Sequence, residues 1–153
     1  MDRYQEFSKL MDTLFEGAII MNKYESKPRT YGTEIKLYMA EIHLLAIINK
    51  TQGLTVTELA EGVNKTKSAI TQTANKLEEK GLIQKIRSEI YHKEINLYTT
   101  DKGKRACEYH EALDRKNYIN VMSKLDEFSV EEFQRFMELF RIITDDMKKN
   151  ENI

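Results

Sequence analysis

The chain has 153 residues, 24 Lys/Arg against 25 Asp/Glu for a formal net charge of −1, and is 41% hydrophobic and 32% charged. That length suits one domain with a proper core, the composition excludes a disordered chain, and no run approaches the roughly 18 apolar residues needed to span a bilayer. One proline and six glycines predict few turns and long helices, and the single cysteine, Cys107, excludes an internal disulfide and fits a reducing cytoplasm.

From Asp2 to about Lys23, Phe7, Leu10, Met11, Leu14 and Ala18 recur at a helical period. So wide a stripe on a terminal helix predicts packing against something larger than the helix itself, with a second subunit as one candidate. Glu25 to Thr33, punctuated by Pro28 and Gly32, reads as a linker. Met39 to Lys50 is apolar nearly all round and predicts a buried second helix.

Thr55-Val56-Thr57-Glu58 has the S/T-x-x-E spacing of a capping box and predicts a short helix that runs out near Gly62-Val63-Asn64. Thr66 is a good N-cap for the next helix, which Gly81 closes. Within it Ile70, Ala74 and Leu77 form a buried stripe, while Ser68, Thr71, Gln72 and Asn75 share another face, flanked by Lys65, Lys67 and Lys76. An apolar anchor opposite a hydroxyl/amide face bordered by positive charge suits a DNA major groove. Two such helices across a tight turn make a helix-turn-helix. Residues 82–87 and 93–99 then alternate like strands, Leu82 or Ile83 and Ile86 facing inward on the first, with 88–92 as the tip; a two-stranded hairpin here predicts a winged helix.

Thr100-Asp101-Lys102-Gly103 predicts the start of a long helix reaching about Leu125. Ser129-Val130-Glu131-Glu132 is a second capping box, opening a helix that carries Phe133, Phe136, Met137 and Phe140. Charge is unevenly spread: from Val63 to Arg105 ten Lys/Arg face five Asp/Glu, a local net of +5, while the remainder nets −6. A basic centre with acidic flanks is the footprint of a nucleic-acid site on a neutral protein. No glycine-rich phosphate loop, nucleophile elbow or H-E-x-x-H helix occurs, and the three histidines (43, 92, 110) fall on different elements, so an enzyme is not expected.

Four phrases in order, Thr57-Glu58-Leu59-Ala60, Thr66-Lys67-Ser68-Ala69-Ile70-Thr71-Gln72, Leu77-Glu78-Glu79-Lys80-Gly81-Leu82-Ile83 and Leu97-Tyr98-Thr99-Thr100-Asp101-Lys102-Gly103, resemble the MarR family of bacterial transcriptional regulators. The resemblance implies a mainly α fold with a small β wing: a winged helix-turn-helix lobe (34–100) flanked by dimerisation segments (1–33 and 101–153) in a single domain. It also implies a cytoplasmic homodimer on a pseudo-palindromic double-stranded DNA operator, acting as a repressor, with no cofactor and no membrane partner. Carried over by position, the DNA-facing residues are Thr55, Lys65, Thr66, Lys67, Ser68, Thr71, Gln72, Asn75, Lys76, Arg87, His92 and Lys93, with glutamine or asparagine suited to bidentate pairing with adenine. Phe7, Leu10, Leu14, Phe133, Phe136 and Phe140 carry the dimer. Many family members have an aspartate-arginine-arginine wing tip. Here Tyr91, His92 and Lys93 stand in those positions, which implies weaker or more pH-dependent minor-groove contact.

Relatives often release DNA when a small molecule binds between the dimerisation helices and the DNA-binding lobe. Tyr24, Tyr38, Glu41, His43, Tyr109 and His110 are the candidate effector residues. Glu41, His43, Cys107 and His110 also include metal-ligand types, Cys107 and His110 standing one helical turn apart. A zinc-responsive regulator of the same fold, or a winged-helix protein-interaction module, are the alternatives.

Overall fold

Short polar side chains set the helix starts. Asp2 accepts from the Tyr4 amide (3.4 Å) and opens α1 (Arg3–Glu25). Residues 25–33, expected to be linker, contain β1 (Arg29–Thr30), which pairs antiparallel with β2 (Lys36–Leu37) just beyond them and leads into α2 (Met39–Lys50). β3 (Leu54–Thr55) precedes α3 (Val56–Gly62), whose capping box is formed: the Glu58 amide donates to Thr55 Oγ1 (3.2 Å), and the Glu58 carboxylate accepts from the Thr55 amide and hydroxyl, both at 2.8 Å. Those two donors, the amide first, hold the Glu58 carboxyl below the usual carboxylate range.

α4 (Lys67–Glu79) ends at Lys80, and Gly81 follows with φ +70°, the left-handed conformation that glycine adopts without steric cost. The wing strands are β4 (Ile83–Arg87) and β5 (Ile95–Thr99), and β3 adds to β5, so the sheet has three strands in the order β3-β5-β4 where a two-stranded hairpin is the simplest sequence reading. Ile83 is buried, but Ile86, expected to face inward as well, is half exposed because the two-residue strand period puts it on the opposite face of β4. α5 (Asp101–Met122) and α6 (Val130–Asn150) complete the chain. The structure describes residues 2–88 and 94–150, as a computed structural model.

The chain divides into two units, Met1–Ala112 and Leu113–Ile153. In the first, the fully buried side chains Ile42, Leu45, Ile48, Leu59, Leu77 and Leu97 come from α2, α3, α4 and β5 and make one core. Buried Thr99 is satisfied by Asn49 and Gln52: its amide donates to Gln52 Oε1 (2.9 Å) and its hydroxyl to Asn49 Oδ1 (3.0 Å). In the second unit the Ser129–Glu132 box is also closed, the Ser129 amide donating to the Glu132 carboxylate at 2.8 Å. Phe136 and Phe140 stack there with centroids 6.2 Å apart. Among the described residues no helix is long and apolar enough to cross a membrane.

Candidate nucleic-acid interface

α4 is placed by its two ends and by its buried stripe. The turn before it needs a residue at positive φ, and Asn64 supplies it (φ 52°), the type of side chain that tolerates this region best after glycine. Thr66 then accepts from the Ala69 amide (3.2 Å). Ile70, Ala74 and Leu77 are 2%, 0% and 0% exposed, which fixes the rotation of the helix about its axis. That rotation leaves Ser68, Thr71, Gln72 and Asn75 on the solvent side, with Lys65, Lys67 and Lys76 exposed around them.

The polar groups on this face are not equally available. The Thr71 hydroxyl donates to the Lys67 carbonyl (2.7 Å), so its proton is spent on the helix and its oxygen is left with acceptor capacity only. The Asn75 amide oxygen accepts from Lys85 Nζ (2.5 Å), and the same ammonium pairs with Glu78 at 2.8 Å. Sequence reasoning did not single out Lys85; the signal was the two-residue strand period, which puts it on the same face of β4 as buried Ile83. Thr55 and Thr66 are both helix caps, and the Thr55 hydroxyl is engaged with Glu58. Arg87 is exposed at the end of β4, while His92 and Lys93 lie outside the described residues.

The remaining candidates are scattered within the first unit. Arg29 lies over the Tyr24 ring, 3.8 Å from its centroid. Glu41, only 4% exposed, is committed: both its oxygens accept from Lys80 Nζ at 2.7 Å, and one also from the Tyr38 amide at 2.8 Å. His43 is exposed and His110 buried, their ring centroids 5.3 Å apart and a ligand atom of each within 4.8 Å of the other. Tyr31, placed by the sequence reading in a linker, is 1% exposed and meets His110 edge-on at 5.2 Å. Burial, and secondarily the negative charge of Glu108, pushes the Cys107 thiol up to about 11, so at neutral pH it stays protonated and is a poor metal ligand or redox group. Of the six effector candidates, His43 alone lines a cleft of about 300 Å³ beside α4, whose lining also includes Leu44, Ile47, Ile70, Lys65 and Glu25.

A model of the MarR family matches residues 37–89. The uncharacterised HTH-type transcriptional regulator YhjH of Bacillus subtilis (strain 168) is 28% identical over 111 residues, a match that covers 72% of this chain and 63% of that protein. The chain thus spans less than two thirds of that relative's length. Streptococcus pneumoniae FabT, solved in complex with DNA, has the same fold at TM-score 0.66 and 22% identity, with 95% of this chain and 98% of that one covered. The zinc-responsive ZitR of Lactococcus lactis superposes at TM-score 0.67 with 21% identity over 91% and 98% of the two chains.

Proposed function

From a chain whose central lobe, residues 37–89, matches a model of the MarR family, we propose a sequence-specific regulator that binds double-stranded DNA as a homodimer and represses from a pseudo-palindromic operator. The observation that carries this reading is α4: a helix locked by a buried stripe, with a hydroxyl/amide face toward solvent and lysines around it. Lys65, Lys67, Lys76 and Arg87 serve phosphates; Ser68, Thr71, Gln72 and Asn75 serve base edges. FabT, with the same fold, was solved on DNA.

The dimer is supported by α1, a 23-residue helix with no buried residue although Phe7, Leu10 and Leu14 lie along it. An isolated helix of that kind gains no stability from packing, so a second subunit accounts for its apolar surface. Phe133, Phe136 and Phe140 on α6 are 40–50% exposed and belong to the same reading. Two-fold symmetry then places two reader helices about one DNA turn apart. A cytoplasmic location accords with this role.

Selection of bound sequences from a random duplex pool tests the proposal. The expected product is a pseudo-palindrome, and Gln72→Ala is expected to flatten one position per half-site by about tenfold in base preference. Failure to enrich any sequence, with affinity insensitive to salt, overturns the DNA reading in favour of a protein-interaction module.

A second reading concerns the signal. The cleft flanked by His43 and Lys65 touches α4 itself, so a small molecule seated there would act on the reader helix directly. His43 and His110 are close enough to share a metal ion. ZitR, of the same fold, is zinc-responsive. A zinc-responsive form of the proposed regulator is expected to change operator affinity at least fivefold on adding zinc, and to lose that response in His110→Ala; an affinity indifferent to zinc rules this form out.

A further inference from the structure

The Asn75 side chain does not meet the DNA face as an unconstrained amide. An amide group has one acceptor atom, Oδ1, and one donor atom, Nδ2. Bidentate pairing with adenine uses both: the oxygen accepts from N6 and the nitrogen donates to N7. Here Lys85 Nζ stands 2.5 Å from the Asn75 side-chain oxygen. An ammonium has only donors, so the amide atom facing it must be the oxygen, and the nitrogen is the atom turned away. Lys85 is itself held on two sides. Glu78, one turn further along α4, pairs with it at 2.8 Å, and its backbone is registered opposite Leu97 in the β4–β5 ladder. It is also the less exposed partner of that pair, 20% against 43% for Glu78, so the ammonium sits between helix and strand and not out in solvent.

We propose that Lys85 is a positioning residue that sets base specificity: by holding the Asn75 amide oxygen it presents Nδ2 to the major groove and makes Asn75 a reader of guanine, not adenine. Guanine offers two acceptors in that groove, N7 and O6, both suited to the outward-turned Nδ2, whereas adenine offers one acceptor and one donor, N6, which would have to share an amide oxygen already turned toward and bonded to the ammonium. The positive charge beside the contact adds to the same bias, since it favours an acceptor-rich edge and disfavours a donor. Gln72, one turn earlier on the same face, is left as the amide that can pair with adenine. This inference rests on the DNA-reading proposal above and refines it.

Selection from a random duplex pool with the wild-type protein, Lys85→Met and Lys85→Arg tests it, each variant first checked for an unchanged thermal transition by circular dichroism. Methionine keeps the length of the side chain and removes the donor; arginine keeps donors. The wild-type and arginine proteins are expected to prefer guanine at one position per half-site, and the methionine protein to shift that position toward adenine by about tenfold. A methionine protein that enriches the wild-type sequence, or that weakens all sequences uniformly, overturns the role of Lys85 while leaving the DNA reading intact. A wild-type protein that enriches nothing overturns the DNA reading, and this inference with it.

Discussion

Gly103→Ala is expected to destabilise the first unit by roughly 3 kcal/mol or more, a large share of what holds a domain together. A Cβ at this position would lie 2.1 Å from the Leu82 carbonyl oxygen, 3.1 Å from its carbon and 3.4 Å from Leu45 Cδ1. The obstacle is backbone, so it cannot turn aside as a side-chain tip could. Moving Leu82 also breaks a clamp: its carbonyl accepts from the Thr100 amide (3.0 Å), while the Thr100 hydroxyl donates to the Gly81 carbonyl (2.8 Å) and accepts from the Gly103 amide (3.1 Å). Thr100 and Gly103 thus fasten the start of α5 to the loop that ends the reader helix, and the phrase from Leu97 to Gly103 has this physical meaning. Urea unfolding would measure the loss, with Gly62→Ala as control. No atom lies within 4 Å of a Cβ at Gly62 and its φ is not positive, so alanine there is expected to leave stability unchanged or raise it by a few tenths of a kcal/mol. A Gly103→Ala protein as stable as the control would remove the close-packing account.

The features that were legible in the sequence are those decided within a turn or two of chain. The Thr55–Glu58 and Ser129–Glu132 boxes, the Thr66 cap, Gly81 and the Ile70/Ala74/Leu77 stripe are local, and each is found where its spacing places it. β1, β2 and β3 were not legible because two-residue strands carry no period and exist only through pairing with other segments of the chain. Tyr31 escaped for the same reason: its neighbours are polar, and its burial comes from Met39 and from His110 on another element. Availability of the reader side chains was equally hidden. Ser68, Thr71, Gln72 and Asn75 look alike in a helical projection, yet Thr71 has given its proton to the helix and Asn75 its oxygen to a strand. The wing tip, expected to carry His92 and Lys93, falls outside the described residues.

Glu41 is the sharpest case of a partner that sequence distance conceals, and it yields the other large expected effect. Lys80→Met is expected to cost about 3 kcal/mol in unfolding free energy. The Glu41 side chain is 6% exposed and the Lys80 side chain 27%, and Lys80 Nζ bonds both carboxylate oxygens at 2.7 Å and the Lys36 carbonyl at 3.1 Å. Without the ammonium, a carboxylate remains in a nearly dry site with the Tyr38 amide as its donor, and one backbone hydrogen bond does not offset the lost solvation. The value of the pair is small beside the cost of breaking it on one side only. The double variant Glu41→Gln, Lys80→Met is therefore expected to be more stable than Lys80→Met alone, because a neutral amide tolerates the site without a counter-charge. Additive losses in the two single variants would show that the pair is not coupled and would return Glu41 to the pool of groups open to a ligand. Coupling instead gives Glu41 a structural role, tying the first turn of α2, the helix that carries His43, to the C-terminal end of α4 that carries the reading face.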